Sequence, residues 1–121
     1  MILVDTSTWI DHARGRDTVL DRVLGSGRIL LHPFVWGELL LNGLPREGAM
    51  ASTLLELPLA PVASTTEAAA FIGWARLTGT GLGYVDAHLL VSAKLAPGGQ
   101  IVTEDQKLRA QAQRLRLAYR E

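Results

Sequence analysis

The chain opens on an apolar run that ends abruptly in a carboxylate: Met1-Ile-Leu-Val, then Asp5, then Thr6, Ser7 and Thr8. Such a run has the length and β-branched character of a strand buried on both faces, with Asp5 where the strand leaves the sheet. Thr6, Ser7 and Thr8 are each able to cap a helix that follows. A carboxylate at the carboxyl end of a parallel strand, facing a helix N-terminus, stands where open α/β sheets bind their ligands. Near the other end Ile101-Val102, read as a central strand, runs into Thr103-Glu104-Asp105 and repeats the pattern. Asp5 and Asp105 are therefore expected at one edge of one parallel sheet.

The intervening sequence supplies mainly helices. A short one is predicted over Trp9 to Arg14, and a second opens at Asp17 or Thr18, with Val19, Leu20, Val23 and Leu24 at helical spacing before Gly25-Ser-Gly27. Arg28 to Leu31 is a short apolar run, and His32-Pro33 marks a boundary because a residue before proline avoids the helical region. Proline suits the first helical position, so Phe34 to Leu41 reads as a helix that carries Glu38. Arg46 to Leu57 reads as another, followed by a loop or short edge strand near Val62 between prolines. Ser64-Thr-Thr-Glu67 matches a capping box and predicts a helix from about Thr65 to Leu77. Gly79, Gly81 and Gly83 form a loop before a helix over Tyr84 to Leu95, which has no internal Gly or Pro and ends at Pro97-Gly98-Gly99. Gln106 to Leu115 is the last helix, and Leu117 to Tyr119 a terminal strand. Strands alternating with helices over short connections indicate an α/β domain with a mostly parallel central sheet flanked by helices.

At 121 residues the chain is read as a single domain spanning residues 1–121. It has no cysteine, which excludes disulfides and thiolate zinc sites. Its formal net charge of +0 argues against strong non-specific attraction to nucleic acid, while leaving room for a local basic face. Met1-Ile-Leu-Val is too short for a signal-peptide core and no apolar run reaches membrane-spanning length, so a cytoplasmic protein without a membrane partner is expected.

The acids carry the chemistry. Asp86 falls at the start of a helix, where the dipole favours a carboxylate, and Glu38 lies among Phe34, Val35, Leu39 and Leu40 as a partly buried acid. Taken singly, Asp5 and Asp105 read equally as helix caps, Asp86 reads better as a cap than as a ligand, and Glu38 better as an exposed helical residue. Taken together, converging carboxylates repel and raise one another's pKa unless a cation lies between them. A hard divalent ion held by oxygen ligands and water, Mg²⁺ or Mn²⁺, is the natural partner, and such a site suits phosphoryl transfer.

Val4-Asp5-Thr6-Ser7, Trp36-Gly37-Glu38-Leu39, Gly83-Tyr84-Val85-Asp86-Ala87-His88-Leu89-Leu90 and Thr103-Glu104-Asp105, in this order and at this spacing, resemble the acidic motifs of PIN-domain nucleases. The closer likeness is to VapC-type toxins of toxin-antitoxin systems, and it runs from Ile2 to about Leu117. The resemblance implies a three-layer PIN-like fold and a metal-dependent endoribonuclease that hydrolyses phosphodiester bonds in structured cellular RNA. It implies catalytic residues Asp5, Glu38, Asp86 and Asp105, with Asp5, Asp86 and Asp105 as ligands of Mg²⁺ or Mn²⁺, and Thr6 and Thr103 holding carboxylates in place. It further implies a cognate VapB-type antitoxin and a homodimer.

Other residues read more simply. Asp11 belongs to a solvated face. His88, two residues beyond Asp86, points to a different side of its helix and is disfavoured as a general base, while His32 and His12 are boundary and surface residues. Trp9, Trp36 and Trp74 suit core or dimer packing better than base stacking. Lys107, Arg109, Arg114, Arg116 and Arg120 form a solvated face unless they align beside the acids. Two other classes fit parts of the pattern: a metal-dependent phosphoesterase, which as a phosphatase would want a second acid where Ser7 stands, and a catalytically inactive PIN-like interaction module.

Overall fold

The structure, a computed structural model, describes residues 1–121. Three short strands, β1 (Ile2–Val4), β2 (Ile29–Leu30) and β3 (Gln100–Val102), form a parallel sheet in the order β2-β1-β3. Seven helices flank it: α1 (Thr6–Ala13), α2 (Leu20–Val23), α3 (Pro33–Leu41), α4 (Ala49–Leu55), α5 (Thr65–Trp74), α6 (Tyr84–Leu95) and α7 (Gln106–Arg114). The α/β architecture with a parallel sheet agrees with the sequence reading.

The sheet forms where apolar residues can be covered on both faces. Ile2, Leu3 and Val4 are buried, as are Ile29, Leu30, Ile101 and Val102, and they join a cluster of 29 buried residues that includes Trp9, Leu89, Leu90 and Leu108. β1, not β3, is the central strand. The outer side of β3 meets only an isolated bridge from Ile101 to Ala118, which is all that forms of the terminal strand expected over Leu117 to Tyr119. On the opposite margin the bridge lies at Leu59, next to Leu31, rather than near Val62.

Register sets the position of the acids. Val4 pairs with Val102, and the Asp5 amide donates to the Val102 carbonyl at 3.2 Å, so Asp5 and Thr103 leave the sheet side by side. α1 begins at Thr6 instead of Trp9 because Asp5 itself is the N-cap, its side chain accepting from the Thr8 amide. The helix expected from Asp17 or Thr18 shrinks to α2 and a 3-10 turn, ending where Gly27 takes the left-handed conformation. α4 starts after Gly48, whose φ of 110° excludes a helical backbone there, so Arg46 and Glu47 lie outside it. α5 ends at Trp74, three residues short of Leu77, with Arg76 at a positive φ.

Two local signals act as expected. Ser64 and Glu67 form the reciprocal capping box that starts α5. α6 runs over Tyr84–Leu95 as read, and it enters β3 through Gly99, where a Cβ would lie 1.9 Å from the Ala93 carbonyl oxygen. Only glycine permits that close approach, which fixes α6 and its Asp86 against the sheet.

Candidate active site

The four acids come from four different elements. Asp5 follows β1 and Asp105 follows β3; Glu38 projects from the middle of α3, and Asp86 is in the first turn of α6. Asp5 is buried, Glu38 and Asp86 are partly buried, and Asp105 is exposed.

Asp5 is the most tightly held. One of its oxygens accepts from the Thr8 amide at 3.0 Å; the other accepts from the Ser7 hydroxyl at 3.2 Å and from the Thr103 hydroxyl. A carboxylate offers about four lone-pair sites, so these three bonds leave capacity for one more partner. Thr103 also accepts from the Asp105 amide at 3.0 Å, and one hydroxyl thereby ties the two strand-end acids together. Asp105 caps α7 through one oxygen, which accepts from the Leu108 amide at 2.9 Å. Glu38 accepts from the Thr6 hydroxyl at 2.6 Å. The cap reading and the ligand reading of Asp5 and Asp105 are thus compatible, since capping occupies one oxygen of each.

Asp86 differs from the other three. Burial, followed by the charges of Asp105, Asp5 and Glu38, pushes its carboxyl up to about 6, and no hydrogen-bond donor opposes the shift. All three other acids act on it, which shows that the four are gathered within Coulombic reach. They do not form a ready cage: no three acid or histidine side chains stand close enough to enclose an ion. The donor set is nevertheless suited to a hard divalent cation. It offers carboxylate oxygens only, and it carries an uncompensated repulsion that a cation relieves. Mg²⁺ in particular keeps several waters and takes only one or two carboxylates directly.

Arg109, read from the sequence only as part of a basic face that could align beside the acids, is a member of this framework. Its guanidinium donates to the Thr103 carbonyl at 2.7 Å and reaches Glu104 at 3.4 Å, bracing the turn that carries Thr103 and Asp105. A partner that is a backbone carbonyl leaves no mark in the sequence. Ser7, noted there only as a possible cap, bonds Asp5 instead. Among the other basic residues, Arg114 donates to the Ala75 carbonyl, and the Lys107 side chain lies against Gly81 in the glycine loop before Asp86. A recess of about 440 Å³ is lined in part by Thr103, Asp17, Arg22, Glu104, Arg109 and Tyr119 and contains none of the four acids.

The remaining expectations sort clearly. Asp11 pairs with Arg16 on the surface and His12 with Asp21. Trp9 is fully buried, Trp36 partly so, and Trp74 is exposed. His32 is a boundary residue, the N-cap of α3, but it is buried, and burial next to His88 lowers its pKa to about 4. No helix is long and apolar enough to cross a membrane.

Comparison with known proteins matches the model of the PIN domain to residues 2–119. The chain is also 41% identical over 110 residues to Ribonuclease VapC32 of Mycobacterium tuberculosis strain CDC 1551 / Oshkosh, covering 91% of this chain and 89% of that protein. The same figures hold for Ribonuclease VapC32 of strain ATCC 25618 / H37Rv. The chain is a PIN-domain protein of the VapC family. In fold, this VapC-family chain is similar to the crystal structure of PAE2754 from Pyrobaculum aerophilum, with a TM-score of 0.68 at 18% identity over 98% of this chain and 87% of that one.

Proposed function

We propose that the protein is a divalent-metal-dependent endoribonuclease that hydrolyses phosphodiester bonds in structured cellular RNA, acting in the cytoplasm as the toxin of a pair with a VapB-type antitoxin. The observation that carries this reading is the placement of Asp86, half-buried in the first turn of α6, whose carboxyl is raised first by burial and then by the charges of Asp105, Asp5 and Glu38, a cost that a bound cation offsets. The likeness to proteins named Ribonuclease VapC32 supports the choice of RNA and of the antitoxin. The family match over residues 2–119 and the cluster of 29 buried residues support treating residues 1–121 as one nuclease unit.

In this reading Asp5 and Asp86 are the principal ligands of Mg²⁺ or Mn²⁺, and Asp105 joins them directly or through water. A bound ion of this kind supplies a strong nucleophile at neutral pH and neutralises charge on the phosphate oxygens. Ser7 and Thr103 fix the Asp5 carboxylate, and Thr6 fixes one oxygen of Glu38, leaving the other to orient the attacking water in line with the leaving oxygen. A recess of about 360 Å³ between α5 and α6, where Trp74 and Leu95 are exposed over the buried Phe71 and Val91, supports a homodimer.

The test is cleavage of total cellular RNA by the purified, antitoxin-free protein with Mn²⁺ or Mg²⁺, beside Asp5→Asn and a chelator control. Cleavage by the wild type alone is expected; equal cleavage in all three arms contradicts the reading. Metal binding without cleavage favours the inactive interaction module.

A further inference from the structure

On the face of α3 that carries Glu38 begins a group of rings that this chemistry leaves unused. His88 meets Tyr84 edge-on at 4.5 Å between centroids and Phe34 at 4.8 Å; His32 lies 4.9 Å from Phe34 and 6.2 Å from His88. The two imidazoles are buried, at 1% and 2% exposure, whereas Tyr84 and Phe34 remain 54% and 37% exposed. Two aromatic rings are thus held in place from beneath while part of their surface stays in water. Rings recruited only for core packing would be covered.

Position links these rings to the acids. Phe34 and Glu38 are four residues apart on α3, so they share a face with their Cβ atoms about 6 Å apart. Tyr84 opens α6 four residues before His88 and shares that residue's face, so its link to the acids runs through Phe34, which His88 also touches. The chemistry of the rings selects the kind of ligand. His32 Nδ1 accepts from the Phe34 amide at 3.0 Å, which leaves the ring's proton on Nε2, a buried donor with no partner; His88 Nδ1 is likewise buried and unpartnered. With its Nδ1 accepting, His32 is a neutral imidazole whose Nε2 lone pair is occupied by a proton, so it is neither a cation for phosphate nor a metal ligand. No Lys or Arg belongs to the cluster, and what it offers is aromatic surface.

We propose that Tyr84 and Phe34, backed by His88 and His32, form a subsite that stacks an unpaired nucleobase of the RNA whose phosphodiester lies at the four acids. This rests on the ribonuclease reading above. Single-stranded bases splayed out of an RNA fold are recognised on such aromatic faces, and stacking accepts any base to some degree because each has a π-face. Tyr84 and Phe34 would therefore position the strand more than they select its sequence.

The experiment uses the full-length protein and single-stranded RNA oligonucleotides carrying 2-aminopurine at successive positions, with fluorescence and Mn²⁺-dependent cleavage followed on the same molecules. The wild type is expected to quench the probe at one or two positions beside the cut. Tyr84→Leu should abolish that quenching and raise KM roughly 10-fold or more with a smaller change in kcat, while Tyr84→Phe keeps both. An abasic site at the quenched position should weaken the wild type and leave Tyr84→Leu no weaker. Unchanged quenching and KM in both Tyr84→Leu and Phe34→Leu, with far-UV circular dichroism showing the wild-type fold, overturns the proposal. So does a loss confined to binding of a protein partner, which would make this a protein-docking face. A wild type that cuts no RNA removes the ribonuclease reading itself, an outcome distinct from one that cuts normally without Tyr84.

Discussion

Asp86 is raised by burial and then by its three acidic neighbours, and this sets the sign of its effect on stability. Its folded-state pKa, about 6, lies above the ordinary value of 3.8, so between these limits the folded state holds a proton that the unfolded state has released. Its ionised form therefore costs stability at neutral pH, and the cost fades as the pH falls through 6 toward 4. His32 acts in the opposite sense: its pKa falls from 6.5 to about 4, so the stability of its buried neutral form is lost as the pH drops through the same window. Asp86→Asn is predicted to stabilise the metal-free protein by about 1–3 kcal/mol at pH 7, with the gain vanishing near pH 4 and the acid loss becoming steeper. Denaturant unfolding of both proteins at pH 4, 5.5 and 7 checks this. Thr103→Val, which removes the hydroxyl joining Asp5 to Asp105, is predicted to cost about 1–3 kcal/mol and to lower RNA cleavage about 10–100-fold, with Thr103→Ser recovering most of both in paired unfolding and cleavage assays. Asp5 and Asp105 were readable because an acid after a buried apolar run stands out against it. Arg109 and the buried state of His32 were not, because each depends on where another part of the chain passes.

At the level of elements, the connection from α6 into β3 limits what the fold tolerates. Gly99 has no room for a Cβ against the Ala93 backbone, so Gly99→Ala is predicted to destabilise by on the order of 2–4 kcal/mol, measured by thermal or urea unfolding. Activity should fall at least in proportion to the unfolded fraction, since the same contact holds α6 and its Asp86 against the sheet. α6 was legible over its full length because nothing inside it breaks a helix and two glycine-rich stretches bound it. α5 was legible at its start because a capping box is a local hydrogen-bond pattern. The helices read around α2 and α4 came out shorter at their starts: the Thr18 hydroxyl accepts from the Leu20 amide and Asp21 from the Thr18 amide, so the first opens at Leu20, and Gly48 takes a backbone angle that no helix allows. The central position given to β3 was wrong for a different reason: strand order depends on how the crossovers close, and the apolar character of β1 and β3 does not distinguish them.

For the whole molecule, a net charge of +0 leaves little general attraction for RNA, so binding must come from local groups. The exposed Trp74, lying under Lys94 at 5.1 Å, and its apolar surroundings instead favour self-association. Sedimentation of the purified chain at micromolar concentration is predicted to give a dimer that Trp74→Asp converts to monomer; a wild-type monomer would contradict the pairing. The fold could be read across the chain because the same order of apolar runs, glycines and acids that builds the sheet also spaces the motifs. What the sequence could not specify was that the four acids approach one another without enclosing an ion by themselves. The most direct measurement is therefore Mn²⁺ binding to the RNA-free protein, followed by electron paramagnetic resonance, for the wild type and for Asp5→Asn, Glu38→Gln, Asp86→Asn and Asp105→Asn. One tight site in the wild type is predicted, weakened about 10-fold or more in Asp5→Asn and Asp86→Asn and less in the other two. Affinity that is equal in the wild type and in both of those variants would contradict the central claim that these acids share a cation.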